Sequence, residues 1–204
     1  MLLDIHPDNP DKRKIGHVIE RLEKGGLIIY PTDTVYGIGC DIFNKKAVEK
    51  IHQIRGLNPS KARLSFICES ISQIAEYSTQ IDNETFRLMK QILPGPYTFI
   101  LKSNHKVPKI MVGKRSTIGV RVPNHEIPLQ IVRELGRPLL TASLKSDDLI
   151  REYFSDAEDI YQDFGKLVDI VIDGGPGKNE PSTVIDCTVS PPELLRQGAG
   201  EILW

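Results

Sequence analysis

Ile15-Gly16-His17-Val18-Ile19-Glu20-Arg21-Leu22-Glu23-Lys24-Gly25-Gly26-Leu27-Ile28-Ile29-Tyr30-Pro31-Thr32-Asp33-Thr34 holds two hydrophobic periods side by side. Ile15, Val18, Ile19 and Leu22 recur at helical spacing and predict one apolar helix face. The Gly25-Gly26 pair then stops the helix. Leu27 to Tyr30 is a short apolar run and reads as a largely buried strand. Pro31 ends it, and Thr32-Asp33-Thr34 follows as a polar loop. A helix feeding a buried strand within twenty residues points to a chain that mixes both element types.

The alternation continues outward. Ala47, Val48, Ile51 and Ile54 predict a helix running towards Arg55, and Leu64 to Cys68 a strand. Asn83 fits the cap of a helix carrying Phe86, Met89 and Leu93, which Pro94-Gly95-Pro96 terminates. Tyr97 to Leu101 and Ile118 to Val122 read as strands with a lysine-rich loop between them. Pro128 suits the first turn of a further helix, and Leu139-Leu140 a buried strand. Ser155 with Glu158 has the spacing of a capping box. Val168 to Ile172, Thr183 to Cys187 and Glu193 to Leu195 close the pattern as strands. Such closely spaced strands favour a mixed sheet in an α/β (α+β) fold.

The 204 residues are 40% hydrophobic and 26% charged, which suits one sizeable core. A net charge of −1 argues against a histone-like coat for nucleic acid. Cys40, Cys68 and Cys187 form no CxxC pair and no zinc spacing, and read as thiols of a reducing cytoplasm. No stretch approaches the ~20 apolar residues of a membrane span, so a cytoplasmic location is expected. Charge is unevenly placed. Thr85 to His125 contains no acid but carries Arg87, Lys90, Lys102, Lys106, Lys109, Lys114, Arg115 and Arg121. Asp147 to Glu180 reverses the balance. The basic stretch suits an anion cleft, an RNA-facing surface or a solvated loop.

Several catalytic signatures are absent. Gly174-Gly175-Pro176-Gly177-Lys178 looks like a phosphate loop, but its first glycine is misplaced and Asn179 stands where Ser or Thr is needed. No GxGxxG opens a helix, no HExxH occurs, and neither Ser143 nor Ser182 sits in a nucleophile elbow.

The remaining segments resemble the YrdC-like family. Tyr30-Pro31-Thr32-Asp33-Thr34-Val35-Tyr36-Gly37-Ile38-Gly39 is similar to its first conserved loop, and Pro94 to Leu101 to its Pro-Gly-Pro strand entry. Gly119 to Pro123, Pro181 to Asp186 and Leu195 to Gly198 follow in the family's order. The resemblance implies one YrdC-like domain over residues 5–200, a twisted mixed parallel and antiparallel sheet flanked by helices, with a basic concave cleft. It implies an enzyme that joins L-threonine, bicarbonate and ATP into threonylcarbamoyl-adenylate and pyrophosphate, with Mg²⁺ carried on the ATP. That intermediate serves the modification of adenosine 37 in transfer RNA. Thr34, Arg121 and Ser182 resemble the threonine-binding set, with Arg121 expected to grip a carboxylate as a two-pronged donor. Arg55, Lys61, Ser143 and Arg196 resemble the ATP-binding set. The local sequence alone also fits plainer roles: Arg121 as an outward-facing strand residue, Arg55 as a solvated helix end, Ser143 and Ser182 as strand hydroxyls bonded to backbone.

Two elements depart from the family pattern, the first already at Arg55, which replaces a lysine and keeps the charge with another geometry. Leu57 stands where synthases carry an arginine, and Lys145 replaces an asparagine. Both changes resemble the YciO branch. They leave open a non-catalytic alternative, in which the same fold binds double-stranded RNA or the ribosome.

Overall fold

The structure, a computed structural model, describes residues 1–56, 64–112, 116–144 and 153–202. Seventeen elements alternate along them. They run β1 (Leu2–Asp4), α1 (Lys12–Glu23), β2 (Ile28–Tyr30), β3 (Gly37–Asp41), α2 (Lys45–Ile54), β4 (Ser65–Ile67), α3 (Ile71–Tyr77), α4 (Asn83–Ile92) and β5 (Tyr97–Lys102). Then come α5 (Lys109–Val112), β6 (Thr117–Arg121), α6 (Glu126–Leu135), β7 (Leu139–Ser143), α7 (Ala157–Phe164), β8 (Ile170–Asp173), β9 (Thr183–Asp186) and β10 (Glu193–Arg196).

All ten strands join one mixed sheet in the order β1-β8-β2-β3-β7-β4-β6-β5-β9-β10. β8 lies parallel to β1 and β2, and β9 parallel to β5, while β2–β3, β3–β7, β5–β6 and β9–β10 are antiparallel.

The two periods of the opening stretch place its side chains on opposite sides of this sheet. Ile15, Val18 and Leu22 of α1 pack with Ile28 and Tyr30 of β2 and with Ile127, Ile131 and Leu135 of α6 in the smaller core. Leu27 and Ile29 point the other way, into the larger core with Val48, Ile74, Met89 and Ile160 from α2, α3, α4 and α7. The alternation is the pleat of the strand made visible. α1 starts where the Asp11 carboxylate accepts from the Arg13 and Lys14 amides, and Gly25 supplies the left-handed φ of 81° that turns the chain towards β2.

Several local expectations are corrected. Asp82, not Asn83, caps α4 and accepts from the Thr85 amide, so Asn83 is the first helical residue. Asp156 rather than Ser155 caps α7, accepting from Glu158 and Asp159, because a carboxylate one residue closer reaches both free amides. The lysine-rich connection between β5 and β6 contains the short helix α5 instead of loop alone. β1, β3 and α3 had no counterpart in the sequence reading.

Among the described residues the cover of the sheet's smaller-core face is incomplete, and that positions the site. Residues two apart on a strand share a face. Leu139 and Ile67 lie under α1 and α6 in the smaller core. Thr141 and Ser143 follow Leu139 on the same face, and Ser65 precedes Ile67 on it. All three line an open cavity.

Candidate functional site

The cavity holds about 270 Å³ and its walls come from seven strands that are neighbours in the sheet, β3-β7-β4-β6-β5-β9-β10. On a flat sheet, strands six spacings apart would lie about 29 Å from each other. One small cavity can touch all seven only because the sheet curls around it. Its polar wall is built from hydroxyls, Thr32, Ser65, Thr98, Thr141, Ser143 and Ser182, and from two cations, Arg121 and Arg196. Among the described residues, no carboxylate lines it.

Arg121, the last residue of β6, is the centre of the site. Its side chain is 8% exposed, as is that of Asp33. Nη2 donates to Asp33 Oδ1 at 2.5 Å and to Thr34 Oγ1 at 3.0 Å. The other Asp33 oxygen accepts from the Asn124 amide at 3.1 Å. Arg121 Nε is buried and has no hydrogen-bond partner among the described residues. A buried donor left unpaired costs about 1–3 kcal/mol, so the wall of the cavity carries an unmet demand for an acceptor. The surface-residue reading of Arg121 is therefore wrong: β6 turns it inward on the same face as Ser65 and Thr141.

The loop that carries Asp33 is held from both ends. Thr32 Oγ1 donates to the Val35 carbonyl at 2.8 Å and accepts from the Thr34 amide at 3.0 Å. The glycine-rich segment that imitates a phosphate loop instead straps this loop down. Tyr36 Oη donates to the Gly175 carbonyl at 2.6 Å, and the Lys178 amide donates to the Thr34 carbonyl at 2.8 Å. A Cβ on Gly177 would come within 2.7 Å of Tyr36 Cδ2, which is why a side chain is missing there.

On the opposite wall Ser182, at the entry to β9, shares a hydrogen bond of 2.8 Å with Thr98 Oγ1. Arg196 grips its carbonyl through Nη2 at 2.7 Å and Nε at 3.2 Å. Arg196 is exposed and Ser143 half-buried, so both sit at the rim. Deeper in the floor, Tyr30 Oη donates to Thr141 Oγ1 at 2.7 Å, and burial raises the phenol's pKa far above its usual value.

The structure thus brings together Arg121, Ser143, Ser182 and Arg196 around one cavity, with Thr34 behind Arg121. Arg55 forms the C-cap of α2 and is not among the lining residues. Lys61, Leu57 and Lys145 lie outside the described residues. One expectation needs correction. Each two-pronged face of a guanidinium includes Nη2, and Asp33 with Thr34 already occupies it, so Arg121 cannot offer a fork to a ligand. Asp33, Thr98 and Thr141 were not singled out from sequence, since one is a turn residue and the others are ordinary strand formers. Among the described residues no group of His, Cys, Asp or Glu could hold a metal ion, and no helix is long and apolar enough to cross a membrane.

Comparison with known proteins adds relatives to this geometry. A Sua5/YciO/YrdC family model, described as telomere recombination, matches residues 20–198. The chain is 43% identical to Escherichia coli K12 YciO, a protein named only as uncharacterized, over 97% of this chain and 95% of that one. The crystal structure of Escherichia coli YciO superposes with a TM-score of 0.92, covering 98% and 97% of the two chains. A threonylcarbamoyl-AMP synthase from Vibrio parahaemolyticus is 32% identical over 89% of this chain and 97% of its own. Pyrococcus abyssi Sua5 complexed with L-threonine gives a TM-score of 0.88 at 31% identity, covering 97% of this chain and 57% of that one.

Proposed function

The chain belongs to the Sua5/YciO/YrdC family, and on that premise we propose that it binds L-threonine in the cavity and ATP at its rim, forming threonylcarbamoyl-adenylate. The observation that carries this reading is the buried guanidinium of Arg121 in the wall of a hydroxyl-lined cavity of about 270 Å³, its Nε without a partner among the described residues. That volume suits an amino acid and is too small for a nucleotide as well, since drug-sized ligands take roughly 300–1,000 Å³. The nucleotide extends past the rim, where Ser143 and Arg196 stand. The relative solved with L-threonine supports the amino-acid assignment.

The chemistry asks little proton transfer of the protein. The threonine amine adds to the carbon of bicarbonate and water leaves, giving a carbamate. A carbamate oxygen then attacks the α-phosphorus of ATP, the bond to the β-phosphate oxygen breaks, and pyrophosphate departs. Holding the reactants in line and offsetting negative charge are the expected contributions. Arg121 takes the threonine carboxylate through Nε, the Thr98–Ser182 pair reads its polar groups, and Arg196 offsets phosphate charge. With no carboxylate in the described lining, Mg²⁺ arrives on the ATP phosphates rather than in a protein cage. The product would feed the threonylcarbamoyl modification of adenosine 37 in transfer RNA.

The test is pyrophosphate release from ATP with and without L-threonine and bicarbonate, in the wild type and in a Leu57→Arg/Lys145→Asn variant. Threonine-dependent release by the wild type is expected. Silence of the wild type beside an active variant would overturn the proposal. The chain would then keep the fold without the chemistry, and binding to double-stranded RNA or the ribosome would take its place.

A further inference from the structure

Tyr30 reaches across a strand. It belongs to β2, its hydrogen-bond partner Thr141 belongs to β7, and β3 runs between them. The ring crosses β3 over two glycines on one face. A Cβ on Gly37 would lie 3.5 Å from Tyr30 Oη and 2.9 Å from Thr141 Oγ1. A Cβ on Gly39 would lie 2.9 Å from Tyr30 Cε1 and 2.5 Å from the Leu140 carbonyl oxygen. A side chain at Gly39 would block the ring, and one at Gly37 would crowd its partner Thr141, so both glycines keep the track open.

Tyr30 is fully buried, and Thr141 is its hydrogen-bond partner. A phenol with one buried neighbour of this kind donates to it, because leaving the O–H unpaired costs the full desolvation penalty. Its proton fills one lone-pair direction of Thr141 Oγ1. The threonine's own proton must then point elsewhere, and Thr141 lines the cavity. The bond anchors the Thr141 hydroxyl and leaves it one proton to give and one lone pair, and the bond it accepts strengthens it as a donor.

We propose that Tyr30 is a positioning residue which, through Thr141, fixes a hydrogen-bond donor in the cavity floor for an oxygen of the bound amino acid. This rests on the amino-acid reading of the cavity given above. Arg121 Nε and the Thr141 hydroxyl would then be two donors facing a ligand rich in acceptors, as a carboxylate or carbamate is.

The experiment is calorimetric titration of the full chain with L-threonine, for wild type, Tyr30→Phe, Thr141→Val and the double variant, with unfolding midpoints measured alongside. Each single variant is expected to weaken binding about tenfold, and the double variant no more than Thr141→Val alone. Thr141→Ser is expected to restore binding, and Tyr30→Phe in the Thr141→Ser background to remove it again. Should Thr141→Val not fold, Thr141→Ala replaces it. Additive losses, or a Tyr30→Phe effect confined to the unfolding midpoint, would overturn the inference while leaving the amino-acid reading intact. No binding of L-threonine by the wild type would overturn both.

Discussion

Arg121 Nη2 lies 2.5 Å from Asp33 Oδ1, with both side chains 8% exposed, so this ion pair is shielded from water on both sides. Shielding decides its energetics. Removing one partner from such a pair leaves a buried charge with no counter-ion, at a cost of about 3–5 kcal/mol. Replacing both partners with apolar groups costs far less, because neither charge then has to be desolvated. Asp33→Ala is therefore expected to destabilise the chain by about that amount, and Asp33→Ala/Arg121→Met to recover most of it. Urea unfolding of the three proteins measures this. Equal losses in the single and double variants would show that the pair is not the source.

Gly39 is the tightest point of the track under Tyr30. Its missing Cβ would sit 2.5 Å from a backbone oxygen, which cannot move aside as a flexible side chain would. Gly39→Ala is expected to cost about 1–3 kcal/mol and to weaken L-threonine binding as the phenol is displaced. A Cβ on Gly37 comes closest to the Thr141 hydroxyl, at 2.9 Å, and touches Tyr30 only at 3.5 Å, so the larger effect of Gly37→Ala should fall on the ligand rather than on stability. Urea midpoints and calorimetry separate the two outcomes.

Stability should fall on acidification in a way that His125 governs. His125 Nδ1 accepts from the Ile127 amide at 3.3 Å and caps α6, which only the neutral ring can do. Burial lowers its pKa, against the opposing pull of Asp33, Asp8 and Glu126. The unfolded chain therefore binds this proton more readily. The contribution is complete above the ordinary histidine range and is lost as pH falls through the lowered folded value. His52, also lowered by burial, acts with the same sign. His125→Asn keeps a capping oxygen that does not titrate. Its stability is expected to decline less steeply between about pH 7 and pH 5 than that of the wild type, followed by thermal unfolding at each pH.

At the rim, Arg196 has two attachments to consider: the Ser182 carbonyl and whatever phosphate comes to rest there. Arg196→Ala is expected to reduce ATP affinity about tenfold and L-threonine affinity by less than about threefold. Equal losses would mean that Arg196 acts only by holding Ser182.

The described cations of the acid-free stretch do not all face the cavity. Arg121 is buried against Asp33, and Lys106 pairs with Glu76 at 3.7 Å on the surface. Lys102, Lys106 and Lys109 do not line the cavity. Charge reversal at all three is expected to leave ATP and L-threonine affinities unchanged. The same variant, titrated with double-stranded RNA at two salt concentrations, shows whether these lysines meet phosphate, since such contacts weaken steeply with salt.

What the sequence disclosed depended on whether residues announced a period. α1 and β2 were legible because Ile15, Val18 and Leu22 repeat at helical spacing and Leu27 to Tyr30 form a block. β3 was not, because Gly37 and Gly39 carry no strand propensity, and their reason lies in a tyrosine seven and nine residues earlier and in its partner Thr141. Arg121, Ser182 and Arg196 were legible through the motifs around them. Asp33 was visible only as a turn residue, since its pairing with position 121 depends on how the sheet curls. Thr98 and Thr141 look like any strand threonine, and nothing local says which face is open. Open and covered are properties of where α1 and α6 end, and no short stretch contains that.

The order in which the walls are made carries a last consequence. Floor residues from Thr32 to Ser143 are translated well before Ser182, Val184, Leu195 and Arg196, which join through β9 and β10 at the outer edge of the sheet. A growing chain can assemble the floor and leave it open while the last wall is still inside the ribosome. On the proposed reading, ligand binding would therefore be gained only when β10 has emerged, and a stalled or truncated chain would expose Arg121 and the hydroxyls around it without enclosing anything.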